Sequence, residues 1–439
     1  MNRTLSEWLG YIEELHDRQW DLGLERVGIV AEQLNVQQPG RQTILIAGTN
    51  GKGSTCEYLE HLALKQGLST GKSTSPHLQN FNERIVINGH QATDNDICRA
   101  FSLIEKTRGP VSLSYFEFST LAALVLFKEF GVDLAILEIG LGGRLDAMNI
   151  VSPDACVITK IALDHQAWLG DSVELIGQEK AGIMRTGIPC ILASIESPAS
   201  VLNIARDLAV PVLQNAQAFG QEDSGFFFSN GDERVHFTGL PNGNLARESF
   251  MAAVQTMFCL GHPPTKAALI EVLAETRLLG RFQIEQFTQA DAASTELSQL
   301  VGARTLIFDV AHNIDAVERL TMNLQQAFPD RACRAVFGVY KDKDYREMLK
   351  VVLPAIDSWY LTSVDEDRAE SPAKISSVLV ELGASGVTTY DKVSEACKAA
   401  LEGIGEDLSD DRNSDGVVLI FGNFPLVADA LRYFKVGAT

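Results

Sequence analysis

The stretch ILIAGTNGKGSTCEYLEHL, residues 44–62, sets an apolar run ahead of three glycines and a lysine, then continues with Leu59, Leu62 and Ala63 at helical spacing. Strand, glycine loop and helix in that order form the context a phosphate cradle requires, because backbone N–H groups and a helix N-terminus both face the anion. Gly48, Gly51 and Gly53 allow close backbone approach, Lys52 supplies a charge, and Ser54 or Thr55 can reach a magnesium ion. The common pattern G-x-x-x-x-G-K-[ST] places a hydroxyl directly after the lysine, whereas here Gly53 intervenes. The competing reading is a glycine-rich turn with an incidental lysine, and the flanking strand and helix argue against it.

Outward from this loop, apolar runs of four to six residues alternate with helical-period stretches, the signature of βαβ units and a mainly parallel sheet. Strands are expected at 44–47, 134–138, 156–160 and 189–193, with helices at 54–66, 94–107, 116–130 and 172–182. RIVINGHQAT at 84–93 and GFFFSNGDERVHF at 225–237 read as hairpins. A polar, weakly periodic segment at 284–304 reads as a linker, after which a second α/β series begins. Its strands are expected at 305–310, 333–338, 357–362 and 417–422, and its helices at 314–327, 344–353, 372–383, 393–403 and 425–434. The expected division is a P-loop domain with a mainly parallel sheet over 1–287 and a smaller Rossmann-like α/β domain over 288–439. The acidic segment at 405–416 reads as a solvated loop.

A chain of 439 residues exceeds one ordinary core. Apolar residues at 46% and charged residues at 21% place it among globular proteins and against long disorder. The longest apolar runs fall short of the roughly 20 residues of a membrane span. The start, MNRTLSEWLGYIEELH, is amphipathic and acidic rather than signal-like, so a cytoplasmic protein is expected. Seven scattered cysteines without a C-x-x-C pair argue against a disulfide framework or zinc site. A formal charge of -20 disfavours nucleic acid and membrane surfaces. Small-molecule partners and a monomeric state are the separate expectations.

Further polar clusters follow strand-like runs. EIGLGGRLDAMN at 138–149 places Glu138 at a strand end, where it can bind a cation or simply bond a loop. KIALDHQAWLG at 160–170 offers His165, a metal ligand or a hydrogen-bonded core histidine. Lys180 in GQEKAGIMR sits on an expected helix, ordinarily a solvated position. In the second half, IFDVAHN supplies Asp309 and His312, and GVYKDKD ends another strand. Asn313 and Asp344 also suit helix N-caps.

Taken in order, GTNGKGS, SPHL, YFEFST, LEIGLGGRLDAMN, ALDHQAWLG, EKAGI, GRFQ and FDVAHN resemble the folylpolyglutamate synthase and dihydrofolate synthase family of the Mur ligase superfamily. The resemblance covers most of the chain, from DLGLERV at 21–27 to FGNFPLVADAL at 421–431. It implies the shorter G-T-N-G-K-G-[ST] loop as an ATP site. It also implies an ATP-dependent ligase that phosphorylates a carboxylate, so that the amine of L-glutamate attacks an acyl phosphate. The carboxylate is that of dihydropteroate, of a reduced folate, or of both. A paralogous ligase with another acceptor, or a non-catalytic ATP-binding module, are the alternatives.

Carried onto this sequence, Thr49, Asn50, Gly51, Lys52, Gly53, Ser54, Asn244, Arg281 and Asp309 match ATP-contacting positions. Ser54, Ser75, Glu138 and His165 match the ligands of two magnesium ions, with a monovalent cation as an additional candidate. Asp21, Leu22, Gly23, Leu24, Ser114, Tyr115, Phe116, Glu117, Leu145, Asp146 and Ala147 match the dihydropteroate pocket. Phe116 is a candidate to stack on a pterin ring or a core aromatic. Lys52, Glu138, Asp146, His165 and Lys180 form the implied catalytic set, Lys180 as a carbamate. The chain departs from the family pattern at Lys160, at Ile314 in place of a proline, at GNFP (422–425) in place of G-S-F, and in a longer segment at 288–303.

Overall fold

The computed structural model describes residues 3–16, 21–223, 225–287, 304–402 and 416–436. They divide into two compact units, Met1–Thr276 and Arg277–Thr439.

In the first unit, strands β1 (Gln42–Ala47), β2 (Thr70–Ser73), β3 (Ile85–Ile87), β4 (His90–Gln91), β5 (Leu134–Glu138), β6 (Ala155–Ile158), β7 (Cys190–Leu192) and β8 (Val212–Gln214) form one sheet. Their order is β4-β3-β2-β5-β1-β6-β7-β8, parallel except at β2–β3 and β3–β4. Successive strand residues point to opposite faces, and the burial follows. Leu45, Ala47, Ala135, Leu137, Cys156 and Ile158 enter the core shared with Phe101 and Phe118 of helices Asp94–Arg108 and Tyr115–Phe130. Ile44, Ile46, Leu134, Ile136, Ala155 and Val157 enter the opposite core with Leu59 of helix Lys52–Lys65 and Phe250 of helix Arg247–Cys259. Burial on both faces explains why these strands read as unbroken apolar runs rather than alternating ones.

Both hairpins form. Asn88 and Gly89 have positive φ (52° and 78°), as a tight turn between β3 and β4 needs. A separate antiparallel sheet of β9 (Gly220–Glu222), β10 (Gly225–Asn230) and β11 (Glu233–Phe237) contains the other.

The second unit's sheet comprises β12 (Gln283–Phe287), β13 (Arg304–Asp309), β14 (Cys333–Phe337), β15 (Ser358–Leu361), β16 (Val387–Thr389) and β17 (Val417–Phe421), in the order β12-β13-β17-β14-β15-β16. All pairings are parallel except β12–β13. The linker expectation is corrected at 284–287. These residues belong to β12, whose alternating exposure suits an edge strand, and β12 pairs with β13 of the second unit. The expected boundary at 287/288 therefore lies past the observed division at 276/277. Residues 288–303, and all but residue 416 of the expected acidic loop, lie outside the described residues.

One buried charge cluster ties the glycine-loop helix to β2. Lys72 Nζ lies 2.5 Å from both Glu57 Oε2 and Glu60 Oε2, and Glu60 also accepts from Thr70 Oγ1. Burial works to lower the Lys72 pKa, but the two carboxylates outweigh it and hold the ammonium charged. Removing one partner of such a group strands buried charge, at a cost of about 3–5 kcal/mol, whereas an apolar replacement of the whole group can be neutral. Lys72→Ala is therefore expected to lower the urea midpoint by that equivalent, and Lys72→Met combined with Glu57→Leu and Glu60→Leu to recover most of it. An unchanged midpoint in Lys72→Ala would contradict this.

Candidate active site

The carboxyl ends of β1 and β5 lie side by side, Ile46 in register with Glu138, and the strand order reverses about this pair. That is where an open α/β sheet offers a crevice. The loop from Gly48 to Gly51 leaves β1 and enters helix Lys52–Lys65 with Gly51 at the N-cap. Gly48 has φ 151°, and a Cβ there would lie 1.7 Å from Thr159 Oγ1, so only glycine fits against β6's end. Thr49 N and Asn50 N donate to the Lys160 carbonyl (2.7 and 3.3 Å), and Thr49 Oγ1 donates to Ala162 O (3.0 Å). The family departure at Lys160 thus supplies the loop with a backbone acceptor, which any residue can do, while its side chain is exposed.

Lys52 Nζ donates to Gly48 O (3.1 Å) and Thr49 O (3.3 Å) and lies 3.8 Å from Glu138 Oε1. Glu138 Oε2 accepts from Ser75 N at 3.2 Å. Lys180 is not the solvated helix residue its sequence position suggests. It is 4% exposed, and its Nζ donates to Gly48 O at 2.8 Å. Burial first, and the Lys52 charge second, push its pKa down to about 7. Half of such a group carries a free amine at neutral pH.

Asp146 is 2% exposed and caps the short helix Ala147–Ile150. Its two oxygens accept from Leu141 N (2.8 Å) and Met148 N (2.9 Å), and burial raises its pKa to about 6 against those bonds. Gly140 allows Phe116 to approach this turn, since a Cβ there would lie 2.6 Å from Phe116 Cζ. Phe116, Ser75, Glu138, Met148, Ser119 and Arg84 line one cleft. Phe116 is thus a pocket wall as well as a core neighbour.

Ser114 caps helix Tyr115–Phe130 in a capping box with Glu117. Glu117 and Asp21 are joined by Arg26, at 3.1 Å and 2.5 Å, which brings the 21–24 and 114–117 segments together. Leu22 packs on Leu141, Leu169 and Ile176. Ala147 enters the main core, and Leu145, Gly23 and Leu24 are partly exposed beside these turns. Neither Arg26 nor Arg84 carries a local sequence signal for this site. Arg84 stands nine positions after Ser75 in a segment legible only as a hairpin arm.

His165 adopts the left-handed conformation (φ 51°) at the start of helix Gln166–Leu169, beside buried Asp164, whose Oδ1 accepts the His165 N–H. Among the described residues no cluster of three or more His, Cys, Asp or Glu side chains is present. Ser75 and Glu138 share the cleft and Ser54 lies on the glycine-loop helix, and all three offer hard oxygens. This donor set fits magnesium, which keeps waters and phosphates as ligands and needs only one or two carboxylates.

Asn244, also in the first unit, uses its Nδ2 on Leu273 O and Thr276 O, the end of a helix. In the second unit, Asp309 is raised by burial and accepts from Phe282 N (2.7 Å) and Ala311 N (2.8 Å). The Arg281 guanidinium lies 5.2 Å from the Phe424 ring centroid, and His312 lies 5.9 Å from the same ring. Two departures resolve locally. Asn313 caps helix Ile314–Ala327 without a proline, and Asn423 caps helix Phe424–Phe434 while its Nδ2 donates to Gly338 O (3.0 Å).

With this geometry in hand, comparison with known proteins is decisive. The dihydrofolate synthase/folylpolyglutamate synthase of Escherichia coli is 34% identical over 427 residues, 97% of this chain and 94% of the relative. That of Haemophilus influenzae is 36% identical over 433 residues, 97% and 96%. The chain belongs to the dihydrofolate synthase/folylpolyglutamate synthase family of ATP-dependent ligases. Residues 295–424 match the family model described as Mur ligase, glutamate ligase domain. The structure of E. coli FolC in complex with DHPP and ADP superposes with a TM-score of 0.87 at 34% identity, covering 99% of this chain and 98% of that one. The bifunctional enzyme of Yersinia pestis, complexed with AMPPNP and a Mn ion, gives 0.86 at 35%, covering 99% and 98%. Two-domain α/β architecture and family are as the ordered motifs imply. No described helix is long and apolar enough to cross a membrane.

The depressed Lys180 value has a signed consequence. Between about 7 and the ordinary 10.5 the unfolded chain holds a proton that the folded chain lacks, so stability rises with pH across that window. The slope from one such group is at most about 1.4 kcal/mol per pH unit. In carbon-dioxide-free buffer, wild type is expected to gain stability relative to Lys180→Met from pH 7 to 10 in urea titrations; parallel curves would contradict a neutral buried amine.

Proposed function

We propose that this ligase joins L-glutamate to dihydropteroate and to reduced folates in the cleft of its first unit. The observation that carries the proposal is the meeting at Glu138 of Lys52 from the glycine loop and Ser75 from the β2 end, in a cleft walled by Phe116 and Arg84. Backbone N–H groups at the start of the helix, residues 51–54, and the Lys52 ammonium hold the phosphates of ATP, while Thr49 and Asn50 anchor the loop through Lys160 O. Ser54, Ser75, Glu138 and His165 hold magnesium, which supplies charge neutralisation at the phosphates.

Arg84 is partly buried, and among the described residues no carboxylate lies within ion-pair distance of it. Burial lowers its pKa, but a guanidinium keeps its charge in proteins, so it remains a cation facing the cleft. It orients the substrate carboxylate, one oxygen of which attacks the γ-phosphorus while the bond to the bridging oxygen breaks and ADP departs. The uncharged amine of glutamate then attacks the acyl carbon. Phosphate leaves with the C–O bonding pair, the amine proton passes to solvent, and an amide remains. A carboxylate is a poor electrophile, so activation by phosphoryl transfer makes the amide accessible in water, and positioning and charge neutralisation are the protein's tasks.

Lys180 reacts as the neutral amine with carbon dioxide, forming a C–N bond and releasing a proton. The resulting carbamate places a negative group beside Gly48 and Lys52 and supports the metal. Asp146, with both oxygens engaged by backbone, acts by holding the 141–148 turn under Phe116. The segment 21–24, joined to Glu117 through Arg26, completes the pterin side. Asn244 fixes a helix end of the first unit. The chain acts in the cytoplasm as a monomer on small-molecule substrates.

Purified protein with ATP, magnesium and glutamate is expected to release phosphate only when dihydropteroate or tetrahydrofolate is added, and a panel of other carboxylates separates a paralogous specificity. Lys52→Ala and Glu138→Ala are each expected to lower kcat at least about 100-fold, the scale of one lost charge-stabilising group. Lys180→Ala is expected to regain part of its activity with added formate or acetate. Near wild-type turnover of Glu138→Ala would overturn the metal assignment.

A further inference from the structure

The segment between β2 and β3 carries more order than its exposure suggests. Glu83 draws three consecutive backbone donors onto one carboxylate, Leu78 N (2.7 Å), Gln79 N (2.8 Å) and Asn80 N (2.7 Å). Asn80 caps the short helix Phe81–Arg84. Within this frame Arg84 Nε donates to His77 Nδ1 at 2.7 Å. The guanidinium lies 5.8 Å from the Phe81 centroid and 5.6 Å from the Tyr115 centroid, and His77 meets the edge of Phe81 at 6.1 Å.

We propose that His77 is a positioning residue, which through its hydrogen bond to Arg84 Nε fixes the guanidinium plane and turns its terminal N–H groups toward a carboxylate-bearing ligand in the cleft. An arginine Nε–H can only donate, so His77 must present an unprotonated Nδ1 and carry its proton on Nε2. Both Glu138 and Arg84 line the cleft, yet they form no ion pair. A long, rotamer-rich arginine left without an anchor would be free to swing onto that carboxylate and cancel the charge of both groups. The bond to His77, with Phe81 and Tyr115 flanking the guanidinium, holds the cation apart from Glu138. The assignment of the ligand as the substrate carboxylate rests on the proposed function; the His77–Arg84 arrangement itself does not.

Two measurements test the inference separately from that reading. Nitrogen NMR of the purified protein is expected to show His77 protonated on Nε2, and an Arg84 Nε–H slow to exchange. That protection is lost in His77→Ala and retained in His77→Gln, whose amide oxygen can accept. An Nδ1-protonated ring, or equal exchange in His77→Ala, overturns the proposal whatever the activity. In the double-mutant cycle, His77→Ala is expected to lower kcat/KM for the carboxylate substrate by about 10- to 100-fold, the usual scale for loss of a supporting partner. ATP affinity is expected to stay within about twofold, and His77→Gln to restore most of the loss. In an Arg84→Ala background His77→Ala is expected to add little, because the two act as one unit. Additive losses overturn the proposal, whereas a wild-type protein inactive with every carboxylate overturns the functional reading and leaves the NMR result to decide.

Discussion

Two lysines converge on one carbonyl. Lys52 and Lys180 both donate to Gly48 O, at 3.1 and 2.8 Å, in a place where one of them is almost wholly excluded from water. Two ammonium groups cannot share so small and dry a site cheaply, and the conflict is resolved by Lys180 giving up its proton near neutral pH. That neutral amine is the chemical precondition for a carbamate. The arrangement depends on Gly48 lying against Thr159, which depends in turn on β1 being flanked by β5 and β6.

The sheet makes the rest follow. Strands buried on both faces fix β1 and β5 in register, so Glu138 arrives beside the glycine loop without any local sequence signal requiring it. The antiparallel turn-back of β3 on β2 brings the 75–84 segment over the same strand ends and delivers Ser75 and Arg84 to the same cleft. The glycine loop, Glu138, Ser75 and Arg84 are thus brought together by one strand order.

Much of this was legible in the sequence, for identifiable reasons. The glycine loop could be read because glycines, a lysine and flanking periodicities are local properties, and Asn88-Gly89 announced its hairpin in the same way. The ordered motifs of the chain were sufficient to indicate the family, and the comparisons agree. What could not be read was whatever depends on distant partners. Lys180 looks like a solvated helix lysine until helix Val173–Ala181 is docked on Gly48, and Lys72 looks like a strand oddity until Glu57 and Glu60 appear opposite it. Arg26 and Arg84 acquire meaning only through Asp21, Glu117 and His77. Strand β12 is hard to read from sequence because an edge strand with alternating polar residues resembles a linker.

In the proposed reaction the cleft activates a substrate carboxylate by phosphorylation before glutamate is joined. Dihydropteroate labelled with oxygen-18 in its carboxylate, turned over with ATP, magnesium and glutamate, tests it directly. One labelled oxygen is expected in each inorganic phosphate released, because the oxygen that attacks phosphorus leaves with it. Amide formation with unlabelled phosphate would contradict an acyl phosphate, and phosphate release independent of the pterin would contradict the assigned site.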